Sequence, residues 1–275
     1  EWIVWLKNAR NCSPATCNVR LSAIRAFLKY MSDRDISFVS VFLQAENVPN
    51  EKTFKRKVVG LSKQAVDTLL SVPNQRTTIG FRDYTLMLLL YSTAVRINEL
   101  LTLKIGNIVL NCAKPHITVV GKGRKKRPIP LLAKPIQYLQ KYLAEHHPNS
   151  DDAEAVLFCS KSKGVYAPMS AENVNKMLKR YAKKAHEKCG DVPLDIHAHQ
   201  FRHAKASHWL ENGMNIAQIS FLLGHENIQT TMVYLDITTE QEEKALETLE
   251  NEKQRRVEKK WKTVAGKTEL EVFLG

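Results

Sequence analysis

A chain of 275 residues with 44% hydrophobic content is long enough for one large domain or two ordinary ones, and that composition excludes wholesale disorder. Its net charge of +13 and pI near 9.5 point to a polyanionic partner, nucleic acid ahead of an acidic membrane. No apolar run approaches the roughly 20 residues of a membrane span, and five cysteines without a CxxC pair imply neither a disulfide framework nor a zinc site, which fits a reducing cytosol.

The first residues, EWIVWLKNAR, have no starting Met and no signal-peptide layout; they read as the inside of a helix, and an N-terminal truncation is expected. Ser13-Pro14 then starts a helix that runs to about Met31, with Val19, Ile24, Phe27 and Leu28 as its apolar stripe. Arg20, Arg25 and Lys29 fall beside the stripe, as a DNA-facing row or a charged rim. A short helix follows around Val39 to Leu43. The stretch PNEKTFKRKVVG, residues 49–60, reads as a basic linker carrying Lys55, Arg56 and Lys57, with a domain boundary near residue 58. Those cations either track a phosphate backbone or form a solvated run.

Ser62 caps a helix through Leu70, and Thr77 to Thr93 is apolar on most faces, so it belongs at the centre of a second domain. Arg96 follows that helix directly, where an unpaired cation is expensive to bury, and Glu99 stands three residues on to orient it. His116 to Val120 is a β-branched strand, and Arg127 to Leu131 returns beside it as an edge strand broken by two prolines. The tip between them holds Lys122, Arg124, Lys125 and Lys126, with Lys122 flanked by glycines that allow close approach of a ligand; contact with phosphate is favoured over a solvated turn. Leu132 to His146 is a helix, Val156 to Ser160 a strand, and Ser170 caps a long helix to Lys188 with Lys176, Lys179 and Arg180 on a basic face.

The segment HAHQFRHAKASHWLENGMNIAQISFLLGHENIQTTMVY, residues 197–234, concentrates the chemistry. His199 and Arg202 share one helical face at a spacing of three, and His197, His203, His225 and Tyr234 accompany them. Asn212-Gly213 ends that helix, an apolar run from Ile216 ends at Gly224-His225, and a third short helix opening near Asn227 would carry Tyr234. Arginine matches phosphate oxygens two at a time, histidine moves protons near neutral pH, and a tyrosine hydroxyl can attack phosphorus. Together they suggest transfer of a phosphodiester onto tyrosine; taken singly, each would be a core or rim residue. Beyond residue 240 the tail holds eight basic and eight acidic residues, so the whole excess charge lies before it. Its sparse apolar stripe suggests a helix that docks on its own domain or on a neighbour.

Five motifs in order, YSTAVRINELLTL, VVGKGRKKRPIPL, HAHQFRH, LLGH and TTMVY, make the chain resemble the tyrosine recombinases over about residues 10–240. The resemblance implies a mainly helical protein with a small antiparallel sheet: a clamp of a helical core-binding domain, residues 1–55, and a catalytic domain, residues 56–240, with a tail helix, 241–275, exchanged between protomers. It implies Tyr234 as nucleophile, Arg96 and Arg202 on the non-bridging oxygens, Lys122 as general acid, His199 in proton transfer and His225 on the phosphate, with Glu99 and His203 in support. Of His197 and His199, only the latter has the required spacing to Arg202, and Ala94 stands where the family often has Gly. The implied partners are double-stranded DNA and three further copies, four protomers on two sites; the implied cofactors and metals are none, and the place is the cytoplasm, at the nucleoid. A non-catalytic DNA-binding protein and a topoisomerase-like nick-and-reseal enzyme are the alternatives.

Overall fold

The computed structural model describes residues 1–53, 60–148, 152–162, 165–225 and 227–232. Tyr234, the linker residues Lys55, Arg56 and Lys57, and the tail after residue 240 lie outside the described residues. The chain divides into two compact units, Glu1–Val58 and Val59–Gly275.

The described residues of the first unit form the α-helices α1 (Trp2–Asn8), α2 (Pro14–Ser32) and α3 (Val39–Glu46), with one 3-10 turn, Ile36–Phe38, between the last two. Ser13 caps α2, its hydroxyl accepting from the Thr16 N–H at 3.2 Å, with Pro14 in the first turn. The core face differs from the expected stripe. Leu6, Cys17 and Leu21 are buried, whereas Val19 and Phe27 are 70% and 60% exposed. Arg25 stands four residues after Leu21, so it shares the packed face. Its guanidinium donates to the carbonyls of Ala45 (3.0 Å), Glu46 (3.3 Å) and Val48 and to the Asn50 amide oxygen (3.1 Å). This arginine closes the C-terminal end of α3, where carbonyls lack helical partners, and those bonds correct its expected place in a DNA-facing row. Arg20 remains exposed.

In the second unit α4 (Lys63–Ser71) and α5 (Thr78–Thr93) are capped by Ser62 and Thr77, whose hydroxyls accept from Ala65 N–H and Gly80 N–H at 3.1 Å. Helix α5 is buried on nearly every face, including Leu86, Met87, Leu89 and Leu90. Each such side chain contributes about 1.5–3 kcal/mol of burial. Asp83 on the same helix is fully buried; Arg82 pairs with one of its oxygens at 2.7 Å and the Tyr181 hydroxyl donates to the other at 2.8 Å.

A short helix α6 (Ile97–Leu101) leads to an antiparallel sheet of β1 (Ile108–Val109), β2 (His116–Val120) and β3 (Lys126–Pro130). Val119 faces Arg127 across the β2–β3 pair, and Gly121 N–H donates to the Lys125 carbonyl at 2.8 Å to close the hairpin. Helix α7 (Ala133–His146) precedes a second antiparallel pair, β4 (Cys159–Ser162) and β5 (Val165–Pro168). Strand β4 takes in only Cys159 and Ser160 of the strand expected over 156–160; Val156 makes an isolated bridge to Lys104 instead. Helices α8 (Ala171–His186), α9 (Ala198–Glu211), α10 (Ile216–Leu223) and α11 (Gln229–Met232) complete the described chain. Among the described residues no helix is long and apolar enough to cross a membrane.

Candidate active site

The site forms where two helices end. Both α5 and α10 stop in a left-handed residue, Ala94 at φ 52° and Gly224 at φ 63°. Such ends leave carbonyls without helical partners and carry the negative pole of the helix. Arg202, on α9 and only 1% exposed, donates to both: Nη1 to the Ala94 carbonyl at 2.8 Å and Nη2 to the Leu223 carbonyl at 2.6 Å. One guanidinium thereby ties residues far apart in sequence. Ala94 holds a conformation that costs a residue with a Cβ roughly 1–2 kcal/mol, and its buried methyl packs with Ala206, Ile219 and Leu223 in partial compensation.

Arg96 lies two residues beyond that end. Its Nη2 reaches the Gly224 carbonyl at 3.4 Å, and its Nη1 donates to Glu99 Oε1 at 3.0 Å. Glu99 Oε2 in turn accepts from the Arg96 backbone N–H at 2.9 Å, so the carboxylate fixes both ends of the residue. A second arginine, Arg127 on β3, binds the same carboxylate through Nη1 to Oε1 at 3.0 Å and Nη2 to Oε2 at 2.8 Å. Burial alone would raise the Glu99 pKa, but the hydrogen bonds and charges of Arg127 and Arg96 outweigh it and hold the group below its usual value.

Two adjoining hollows share Arg96. One, of about 600 Å³, is lined by Arg96, Gly121, Lys125, Arg127, Gly224 and His225; the other, of about 410 Å³, by Arg96, Gly121 and His199 among others. Gly121 borders both, which puts the backbone beside Lys122 at their junction. His225 bonds Thr231 through Nδ1 at 2.8 Å, and the His199 ring meets His203 edge-on at 4.4 Å between centroids.

His199, His203 and His225 are each held below the ordinary histidine pKa. Desolvation comes first for each, followed by Arg202 for His199, by His199 and Arg202 for His203, and by Arg202 and Arg96 for His225. His203 and His225 are pushed down to about 4, so the rings are neutral at pH 7. The unfolded chain, with histidine near 6.5, takes up protons that the folded chain refuses. Stability from these groups is complete above about pH 6.5 and is lost as pH falls through the folded values, about 4 for the two lowest. The melting temperature should therefore be level above pH 7 and drop between about pH 6.5 and 4, with a shallower drop in His225→Asn. A profile identical in that variant would contradict the assignment.

Of the residues singled out in the sequence, Arg96, Glu99, His199, Arg202, His203 and His225 converge here, and Arg124, Lys125 and Lys126 are exposed on the adjacent hairpin. On α8, Lys176 is exposed, Lys179 pairs with Asp195 at 2.5 Å, and Arg180 lies 3.7 Å from Asp83. Sequence reasoning missed Arg127. Its signal was the period of two along β3, which puts it on the inward face with the buried Ile129.

Residues 60–241 match the model of the phage integrase family. The chain belongs to that family, the tyrosine recombinases. It is 32% identical to tyrosine recombinase XerA of Pyrococcus horikoshii, over 84% of this chain and 72% of that protein. It is 29% identical to XerC of Chlamydia caviae, over 83% of this chain and 69% of the relative. The fold matches the XerH site-specific recombinase bound to a palindromic difH substrate, with a TM-score of 0.67, 21% identity, and coverage of 90% of this chain and 71% of that one. It also matches the Tn1549 transposon integrase in complex with circular intermediate DNA, with a TM-score of 0.62, 23% identity, and coverage of 85% and 78%.

Proposed function

We propose that this recombinase cuts and rejoins double-stranded DNA through a 3′-phosphotyrosyl intermediate, in the service of a mobile element. The observation that carries the reading is that Arg96, His199 and His225, from three separate stretches, line two adjoining hollows that share Arg96, with buried Arg202 bonded to the carbonyls of Ala94 and Leu223 and the hairpin that bears Lys122 at the edge. The scissile phosphate sits in the hollow beside Arg96, whose charge, with that of Arg202 behind it, stabilises the extra negative charge of the transition state. The neutral His199 ring is fit to take the proton of Tyr234 as its oxygen bonds to phosphorus. The bond from phosphorus to the 5′-oxygen breaks, and Lys122 delivers a proton to that oxygen. His225, steadied by Thr231, hydrogen-bonds the phosphate. The phosphotyrosyl bond conserves the energy of the original linkage, so attack by a 5′-hydroxyl reseals a strand without a nucleotide cofactor. The two units act as a clamp on duplex DNA, and four protomers on two sites exchange strands, aided by the tail after residue 240. The arms of the linker and of α8 contact phosphates without base recognition.

Covalent trapping tests this. Nicked fragments from the source genome are incubated with the protein, and DNA that survives hot detergent on the protein is sequenced. Adducts are expected with the wild type and none with Tyr234→Phe, whose salt-sensitive DNA binding should persist. Adducts of equal yield in Tyr234→Phe would remove the tyrosine from the mechanism. Products that join two duplexes separate strand exchange from nicking and resealing.

A further inference from the structure

We infer that Arg127 is a positioning residue that keeps the Arg96 site net positive: by sharing the Glu99 carboxylate, it lets that carboxylate anchor Arg96 without cancelling the charge of the group. This rests on the reading of the pocket as a phosphate seat.

Charge balance around Glu99 decides the role. Glu99 is 6% exposed and accepts four N–H groups, two from Arg127, one from the Arg96 guanidinium and one from the Arg96 backbone. An anchoring acid gives geometry but cancels the charge it anchors. With Arg96 alone on Glu99, the pair would be neutral and a poor host for an anion. With Arg127 added, the triad carries one net positive charge. Arg127 is placed to hold that role rather than to bind DNA itself, because its side chain is 12% exposed and both terminal nitrogens are spent on Glu99. Its guanidinium is also seated against Gly224, where an added Cβ would lie 2.6 Å from Nη1. Arg127 is one of the charges that lower the pKa of His225, which places its field in the same hollow.

Charge compensation separates this role from simple packing. Arg127→Met leaves a neutral Arg96–Glu99 pair, and adding Glu99→Gln restores one positive charge while removing a further native ion pair. Inorganic phosphate, titrated by calorimetry at low ionic strength, is the probe, and the His225 ring signal is followed by NMR. Phosphate binding should weaken about tenfold in Arg127→Met, the His225 titration should move up, and both should return toward wild type in the double variant. A double variant no better than the single one, or a single variant indistinguishable from wild type, overturns the proposal. Should Arg127→Met fail to fold, Arg127→Lys keeps the charge with fewer bonds and should bind phosphate within about threefold of wild type; a tenfold loss there overturns it equally. The adduct assay above judges the recombinase mechanism separately: a wild type that forms no adduct but shows the phosphate pattern would remove that mechanism and leave the role of Arg127 standing.

Discussion

Replacing Arg202 by Met is expected to lower stability by about 3–5 kcal/mol, a drop of roughly 10 °C in melting temperature for a domain of this size. The reason is that the guanidinium is not only chemistry but a fastener. It is 1% exposed and satisfies the carbonyls that end α5 and α10. Methionine fills part of the volume and leaves both carbonyls buried without their partner, each at a desolvation cost of about 1–3 kcal/mol. Arg96→Met should behave differently. The Arg96 side chain is 41% exposed, so its loss should change the melting temperature by only a few degrees while cutting adduct formation by about 10²–10³-fold. Thermal unfolding of the two variants side by side checks the distinction. Equal, small shifts would show that Arg202 does not hold the helix ends together.

Gly224→Ala should be the second large effect. At φ 63° an added Cβ is strained by about 1–2 kcal/mol, and it would meet Nη1, Cζ and Nε of Arg127 at 2.6, 2.8 and 3.0 Å. The arginine must move, and with it one side of the Glu99 cradle. A loss of about 2 kcal/mol in stability and about 10²-fold in adduct formation is expected. If the damage runs through Arg127, the activity losses of Gly224→Ala and Arg127→Met will not add, since both break one contact. Strict additivity of the two rates would sink that account.

Local signals in the sequence carried much of the fold. The caps at Ser13, Ser62, Thr77 and Ser170 each accept from a backbone N–H at the start of its helix, because capping is decided within four residues. The apolar stretch of α5 announced its burial, and the Gly-rich turn after Val120 announced the hairpin. Strands β4 and β5 were not legible as a pair: CSKS and VYAP lack a sustained alternation, and pairing supplies what propensity does not. Two arginines show where charge misleads. Arg25 falls beside the expected apolar stripe, yet its spacing from Leu21 puts it on the packed face. Arg127 reads as an ordinary strand residue, although the alternation with Ile129 turns it inward toward Glu99. The ion pair itself spans 28 residues and leaves no local mark. Within the site, the Arg96–Glu99 pair was visible because it lies within one helical turn; the carbonyls that hold Arg202 were not, since backbone acceptors carry no letter. Tyr234 and Lys122 rest on motif order and remain assignments of the proposed mechanism.

The bonds that shape the pocket also set when it can exist. Arg202 to Ala94 closes a loop of 108 residues and Arg96 to Gly224 one of 128. Closing such loops loses chain entropy before any contact repays it, so non-local pairings of this kind form late. A chain emerging from the ribosome has its hairpin and α5 long before it has the end of α10. The cationic pocket is thus a product of the last stage of folding, and a partly synthesised chain has no place to hold a phosphate.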